Sequence, residues 1–186
     1  RRGACYVNIG QAPNSVYKAY KRGSYPLYNP ALHNRYLENR KIRFGAYGDP
    51  AAAPYQVWEN LAYIAAGFTG YTHQARHKNF DPRMLEFCQL SLDTKRQAEK
   101  AGKAGYFRIV TDKTDTLPGE IECLADSKGI QCIDCLKCNG KNKVFIQVHG
   151  SRKSSFLNNN IIAVSYTHLR AHETLMNLVC RLLLEK

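Results

Sequence analysis

The amino-acid sequence predicts an α/β fold in which parallel strands alternate with helices along the chain. Short apolar runs alternate with stretches of helical periodicity, and Gly and Pro residues separate the two kinds of segment. Helices placed between consecutive strands favour parallel pairing through right-handed crossovers. Two architectures satisfy this order: an incomplete (β/α) barrel, which we favour, and an open doubly wound parallel sheet.

Apolar, β-branched and aromatic residues predict five strands where they are concentrated between turn-forming residues. The predicted strands are residues 42–47, 68–72, 88–92, 105–110 and 144–149. The predicted helices are residues 14–22, 30–39, 55–66, 81–87 and 94–103. Gly23 and Gly67 are expected helix stops, and Asp81 followed by Pro82 is a typical helix start.

The charge of the chain is strongly basic and concentrated near its beginning. The chain carries 27 Lys and Arg against 15 Asp and Glu, and residues 1–43 contain a single acidic residue, Glu38. Basic residues interleaved with tyrosines suit nucleic acid, because cations neutralise phosphates and rings stack on bases. The alternative is a solvated helical face around a tyrosine-rich core. The expected contacts are Lys18, Lys21, Arg22, Arg35, Arg40 and Lys41 for phosphates, and Tyr17, Tyr20 and Tyr36 for stacking.

Four cysteines form the strongest chemical signal in the sequence. Cys123, Cys132, Cys135 and Cys138 lie within 16 residues, and the last three are spaced as two consecutive Cys-x2-Cys steps. Four thiolates satisfy tetrahedral zinc, so we expect this segment to be a metal-binding insertion with a closed structural zinc site. An iron–sulfur cluster is the alternative ligand, and free buried cysteines are the alternative without a metal.

Polar residues follow several of the predicted strands. Asp49, His73, Asp93 and His149 stand at or just beyond strand ends. Because the carboxyl ends of parallel strands meet at one edge, we expect these four side chains to face a common mouth, where they are candidate catalytic residues. For Asp49 we favour the alternative, a plain Gly-Asp-Pro turn. The sequence contains no phosphate-binding glycine loop and no dinucleotide fingerprint.

Three further segments, together with the cysteine cluster, carry a resemblance to a known protein family. The strings GACYVNIGQAPNSVYKAYKRGSYP, RFGAYGDPAAAP and TGYTHQ, with the cluster ending before Val-His-Gly, resemble a phage- and prophage-associated family of unknown function over residues 1–156. The chain is also distantly similar to phage proteins that place cysteines before an α/β barrel, some of them similar to radical-SAM enzymes. The Cys-x3-Cys-x2-Cys motif of those enzymes does not occur in this chain.

The family resemblance implies an origin in a phage or mobile element and a location in the cytoplasm of a bacterial host cell. It implies a metal centre, zinc or iron–sulfur, but no established activity. A metal-dependent barrel enzyme and a structural phage protein are the alternatives to a nucleic-acid-contacting metalloprotein. No membrane partner is expected.

The last 23 residues, 164–186, are expected to be foreign to the domain. Their sequence, VSYTHLRAHETLMNLVCRLLLEK, matches the translation of a sequencing-library adapter in one reading frame. We therefore expect residues 1–163 to form a single truncated α/β domain, and we exclude His168, His172 and Cys180 from the metal site.

Overall fold

A computed structural model describes residues 12–46 and 48–149, together with Lys153, Ser154 and Leu157. The expected adapter-derived segment 164–186 lies outside the described residues. Within them the protein is a mixed α/β structure in which all strand pairs of the two sheets are parallel. The predicted α/β class with parallel strands is therefore confirmed.

Helices and strands alternate over most of the described chain. The α-helices are α1 Ala12–Lys21, α2 Pro30–Leu37, α3 Tyr55–Ile64, α4 Lys95–Ala101, α5 Leu124–Ser127 and α6 Cys132–Cys135. The 3-10 helices are Pro50–Ala52, Gln74–Arg76 and Pro82–Glu86. The strands are β1 Lys41–Arg43, β2 Gly67–Thr69, β3 Tyr71–Thr72, β4 Gln89–Leu92, β5 Tyr106–Val110, β6 Ile121–Glu122 and β7 Lys143–Gln147.

The strands form a two-stranded sheet, β1-β2, and a five-stranded sheet in the order β3-β4-β5-β7-β6. Gly70 alone separates β2 from β3. Its N–H donates to the carbonyl of Cys138 (2.8 Å), and its carbonyl accepts from the N–H of Gln89 (2.9 Å). A single residue therefore connects the two sheets to each other and to the cysteine-rich segment.

Local side-chain hydrogen bonds account for several helix starts. Asn29 caps α2 by accepting from the N–H of Ala31, and Thr94 caps α4 by accepting from Gln97. Asp81 caps as predicted, although the helix that follows it is of the 3-10 type. The third predicted helix ends earlier than expected, at Ile64, and not at Gly67.

Apolar residues on one face of the strands pack against the helices. Ile42 and Phe44 lie in a buried cluster with Trp58 and Leu61 of α3, and Phe68 packs against it. Successive side chains of a strand point to opposite faces. Thr69, next to Phe68, is therefore directed to the face opposite α3. A second cluster joins Leu92, Ala98 and Tyr106, placing α4 against β4 and β5.

A buried ion pair fixes the connection between β5 and β6. The Arg108 side chain is 1% exposed and that of Glu120 is 0% exposed. The Arg108 guanidinium donates from Nε and Nη2 to the two Glu120 carboxylate oxygens, at 2.8 and 2.7 Å. Burial alone would raise the pKa of Glu120, but hydrogen bonds from Arg108, Leu117 and Tyr106 lower it overall. This two-hydrogen-bond ion pair therefore holds the segment that leads into β6 and Cys123.

Candidate metal centre

The structure places the four predicted cysteines on two short segments, one beside β7 and one packed against β1 and β2. Cys123 follows β6 directly, and its N–H donates to the carbonyl of Phe145 in β7 (2.7 Å). Cys132 and Cys135 are the first and last residues of α6, a single helical turn. Leu136 then adopts a left-handed conformation (φ 53°), which ends the turn before Cys138. One helical turn, the left-handed Leu136 and a backbone hydrogen bond to β7 therefore position the four cysteines.

Hydrogen bonds to the sheet hold the end of this segment. The Cys138 carbonyl accepts from Gly70, and the Asn142 side chain donates to the carbonyl of Lys137 (2.8 Å). Gln89 of β4 donates from its side-chain amide to the carbonyl of Asn142. The segment therefore contacts β4 and the junction between β2 and β3.

All four cysteines line one small cavity of about 20 Å³. Such a volume holds about one particle the size of a water molecule. The lining residues outside the cysteine pattern include Thr69, Glu122, Lys137 and Val144. The four cysteines therefore line a common cavity, and their expected ligation of one ion stays a prediction.

The gathered cysteines do not form a ready ligand set. Among the residues that the structure describes, no group of three or more Cys, His, Asp and Glu side chains is arranged closely enough to hold a metal ion. Cys132, Cys135 and Cys138 are free thiols. Ligation of one ion would require the sulfurs to lie closer together than they do in this structure.

The electrostatic surroundings of Cys138 reflect its neighbours. Burial, together with the thiols of Cys123, Cys132 and Cys135, raises the pKa of Cys138 to about 12, and Arg43 acts in the opposite sense. The effect of the other three cysteines indicates that each lies within electrostatic reach of Cys138.

The predicted catalytic residues Asp49 and His73 are neighbours. The Asp49 carboxylate accepts from the N–H of His73 (2.7 Å), the hydroxyl of Thr72 (2.6 Å) and the N–H of Ala51 (3.0 Å). His73 Nδ1 lies 3.8 Å from Asp49 Oδ2. Burial raises the pKa of Asp49, while these three hydrogen bonds act to lower it. The carboxylate therefore caps the 3-10 helix Pro50–Ala52 and ties it to the end of β3, as expected of the turn alternative.

The other two predicted catalytic residues also follow strands. Asp93 comes directly after β4, and its N–H donates to the side chain of Gln97. His149 lies two residues beyond β7, is exposed, and has its Nδ1 3.0 Å from the carbonyl of Gln147. That Asp93 and His149 share a pocket with Asp49 and His73 stays a prediction.

The predicted nucleic-acid contacts lie on α1, on α2 and at the start of β1. The exposed members of this basic tyrosine surface are Lys18, Lys21, Arg22, Arg35, Arg40, Lys41, Tyr17 and Tyr36. Tyr20 is partly buried. Tyr17 and Tyr36 keep 44% and 46% of their surface accessible. The guanidinium of Arg35 lies 4.7 Å from the ring centre of Tyr36, and Lys41 lies 3.7 Å from Asp134 of α6.

Sequence reasoning missed two polar residues in the strands. Thr69 and Gln89 are 1% and 0% exposed. Thr69 Oγ1 and Gln89 Oε1 have no hydrogen-bond partner among the described residues. The available signal was a polar residue inside an otherwise apolar strand. The proximity of Thr69 to the cysteines depends on long-range pairing of strands, which the sequence pattern does not contain.

Every helix in the described part of the chain is too short or too polar to traverse a lipid bilayer. No family model, curated protein or solved structure matches this chain. The arrangement of the chain's own residues is therefore the basis for any functional conclusion.

Proposed function

We propose that this protein is a metalloprotein in which Cys123, Cys132, Cys135 and Cys138 bind one structural zinc ion. The observation that carries the proposal is that all four side chains line the same small cavity. Four thiolates are a complete ligand set for tetrahedral zinc, and a closed set leaves no open position for substrate. Zinc bound there would join β6, α6 and the segment before β7.

The charges around the cavity support a thiolate-rich centre. Four thiolates and one Zn²⁺ carry a net charge of −2, which needs compensation when it is partly buried. Lys137 lines the cavity, and Arg43 lowers the pKa of Cys138. Two cations are thus available to offset the negative charge.

The size of the cavity favours a single ion over a cluster. A cavity of about 20 Å³ suits one atom, whereas an iron–sulfur cluster would have to displace more of the surrounding chain. The iron–sulfur alternative is distinguished by iron content and visible absorption of the purified protein.

Metal analysis with cysteine variants tests the zinc site. We expect one zinc ion per full chain, and loss of stoichiometric binding in Cys132→Ser and Cys135→Ser. Cys88→Ala is the matched control, because Cys88 is 0% exposed and lies in the core cluster, outside the cavity lining. Cys180→Ser is a second control, for the expected adapter-derived segment.

Different results would separate the alternatives. Retention of stoichiometric zinc by the Cys132 and Cys135 variants would reject this site. Iron in place of zinc, with a visible absorption band, would favour the cluster. Loss of zinc only in the Cys180 variant would assign binding to residues 164–186.

Strong curvature of the sheet, as in the barrel-like form, is a proposal supported by the same cavity. Thr69 lies in β2, which continues through Gly70 into β3, and Glu122 lies in β6. In the order β3-β4-β5-β7-β6, these two edge strands are separated by four inter-strand spacings. Adjacent strands are about 4.8 Å apart, so a flat sheet would separate them by roughly 19 Å. One small cavity contacts both residues. Curling of the sheet is the simplest way to bring them together.

The basic tyrosine surface supports a second proposed function, contact with single-stranded nucleic acid. Exposed cations of α1 lie beside the exposed ring of Tyr17, a combination that binds phosphates and stacks on bases. We expect binding of an oligonucleotide to weaken as the salt concentration rises, because lysine and arginine side chains that bind phosphates release the counterions of the nucleic acid. The proposed origin is a phage-type protein acting in the host cytoplasm, which rests on the sequence resemblance alone.

Charge reversal with a matched control tests this second proposal. Lys18→Glu/Lys21→Glu is compared with Lys100→Glu/Lys103→Glu, which makes the same change in net charge on the exposed side of α4 and the turn after it. Fluorescence anisotropy with a labelled single-stranded oligonucleotide should show a salt slope lower by about two only for the first variant. Equal losses in both variants would mean that net charge, and not this surface, governs binding.

A further inference from the structure

The side chain of Thr69 is buried on the side of the sheet that carries the cysteines. Its strand neighbour Phe68 packs against the cluster beneath α3, so strand alternation directs Thr69 to the opposite face. Thr69 is 1% exposed, and its Oγ1 has no hydrogen-bond partner among the described residues. Buried hydroxyl groups in folded proteins are nearly always hydrogen-bonded. The position therefore indicates a missing partner.

The cysteine cavity is where that partner belongs. Thr69 lines it, together with all four cysteines. The residue after Thr69 is Gly70, whose N–H holds the carbonyl of Cys138 at 2.8 Å. The backbone of Cys138 is thus hydrogen-bonded to the residue that follows Thr69.

Metal binding would create a hydrogen-bond acceptor at that place. Ligation removes the proton of the Cys138 thiol and leaves a sulfur with lone pairs and excess negative charge. A hydroxyl can donate to such a sulfur, whereas a protonated thiol is a weak acceptor. The Thr69 hydroxyl is the unpartnered buried donor that lines this cavity.

We propose that Thr69 is a positioning residue that donates its hydroxyl hydrogen to the metal-bound sulfur of Cys138. The proposal rests on the proposed zinc site. It predicts that the bond orients Cys138 and reduces the negative charge of the tetrathiolate centre. Groups that hydrogen-bond to metal ligands in this way commonly change metal affinity by about 10- to 100-fold.

The test compares Thr69→Val, which keeps the shape and removes the hydroxyl, with Thr69→Ser, which keeps the hydroxyl. Zinc affinity is measured in the full chain by competition with a chelator. We expect about 10- to 100-fold weaker binding for the Val variant and near-wild-type binding for the Ser variant. Thr69→Ala replaces the Val variant if the latter does not fold.

Cobalt substitution supplies a readout that a purely structural role would not change. A hydrogen bond to sulfur lowers the energy of its donor electrons, so its loss should move the sulfur-to-cobalt charge-transfer band to longer wavelength. We expect this shift in Thr69→Val and not in Thr69→Ser. An unchanged band in a folded, cobalt-loaded Val variant would overturn the proposal and indicate another partner, such as a buried water.

Failure of the zinc site itself gives a different result. If the wild-type chain binds neither zinc nor cobalt, both proposals fail together. If the wild type binds cobalt through sulfur and the Thr69 variants match it in affinity and spectrum, only the hydrogen bond is rejected.

Discussion

Replacement of Gly105 by alanine tests how the end of the cysteine segment is docked on the sheet. A Cβ at this position would lie 2.1 Å from the carbonyl oxygen of Gly140 and 2.9 Å from the backbone nitrogen of Lys141. Real Cβ contacts are essentially never closer than 3.0 Å, so the turn must retreat by roughly 1 Å. The backbone of Leu85 and Glu86 also lies close to Gly140, since a Cβ built at Gly140 would be 2.6 Å from the Leu85 carbonyl oxygen.

The displacement should reduce both stability and metal affinity. Overpacking of this kind typically costs about 1–3 kcal/mol. The hydrogen bond from Tyr106 N–H to the carbonyl of Asn142 (3.0 Å) lies within the displaced turn. Cys138 lies two residues before Gly140, so we expect zinc binding to weaken on the order of tenfold.

Urea unfolding of the metal-free chain and zinc competition measure the two effects. Gly67→Ala is the matched control: its Cβ would meet Leu136 Cδ1 at 2.6 Å, but that atom ends a side chain that can rotate. We expect the control to stay within about 1 kcal/mol of wild type. If Gly105→Ala were as stable as the control and bound zinc equally well, the close docking of the Asn139–Gly140 turn against β5 would be wrong.

Three further predictions concern the polar groups that support the site. Glu120→Gln should lower the free energy of unfolding by about 3 kcal/mol, because it removes the buried carboxylate of the pair and leaves Asp115, which is 42% exposed, as the counter-ion of buried Arg108. Lys113→Gln, at an exposed ion pair, should cost less than about 1 kcal/mol in the same urea titration. Because the folded-state pKa of Glu120 lies below its usual 4.5, its stabilisation is present above pH 4.5 and is lost as pH falls below it. Urea midpoints measured at pH 6 and at pH 3–4 should therefore differ more for wild type than for Glu120→Gln, and parallel curves would contradict the assignment. Asp49→Asn should lower the free energy of unfolding by about 1–3 kcal/mol, since an amide NH₂ would then face the N–H of His73. An unchanged urea midpoint would show that the hydrogen bond from His73 to Asp49 does not stabilise the fold.

Local signals in the sequence predicted most of the helices and strands. Turn residues and apolar periodicity predicted a strand at residues 105–110 and a helix at residues 94–103. The structure has β5 at Tyr106–Val110 and α4 at Lys95–Ala101. The cap at Asp81 was predicted because it depends only on the next two residues. The expected stop at Gly67 was wrong because the N–H of Ala66 bonds the carbonyl of Arg40, which draws the chain into β2.

Features that depend on distant contacts were not predicted. Strand β6 has two residues, too few for a periodic signal, and it is defined by pairing with β7. The four cysteines could be singled out because their spacing is local, and they line one cavity. Thr69 was missed because only the packing of strands far apart in sequence brings it to the same cavity.

X-ray absorption at the zinc edge of the purified, zinc-loaded full chain tests the central proposal most directly. We predict a shell of four sulfur atoms at about 2.3 Å and no nitrogen or oxygen ligand. A shell containing nitrogen or oxygen, or fewer than four sulfurs, would contradict a site built from Cys123, Cys132, Cys135 and Cys138.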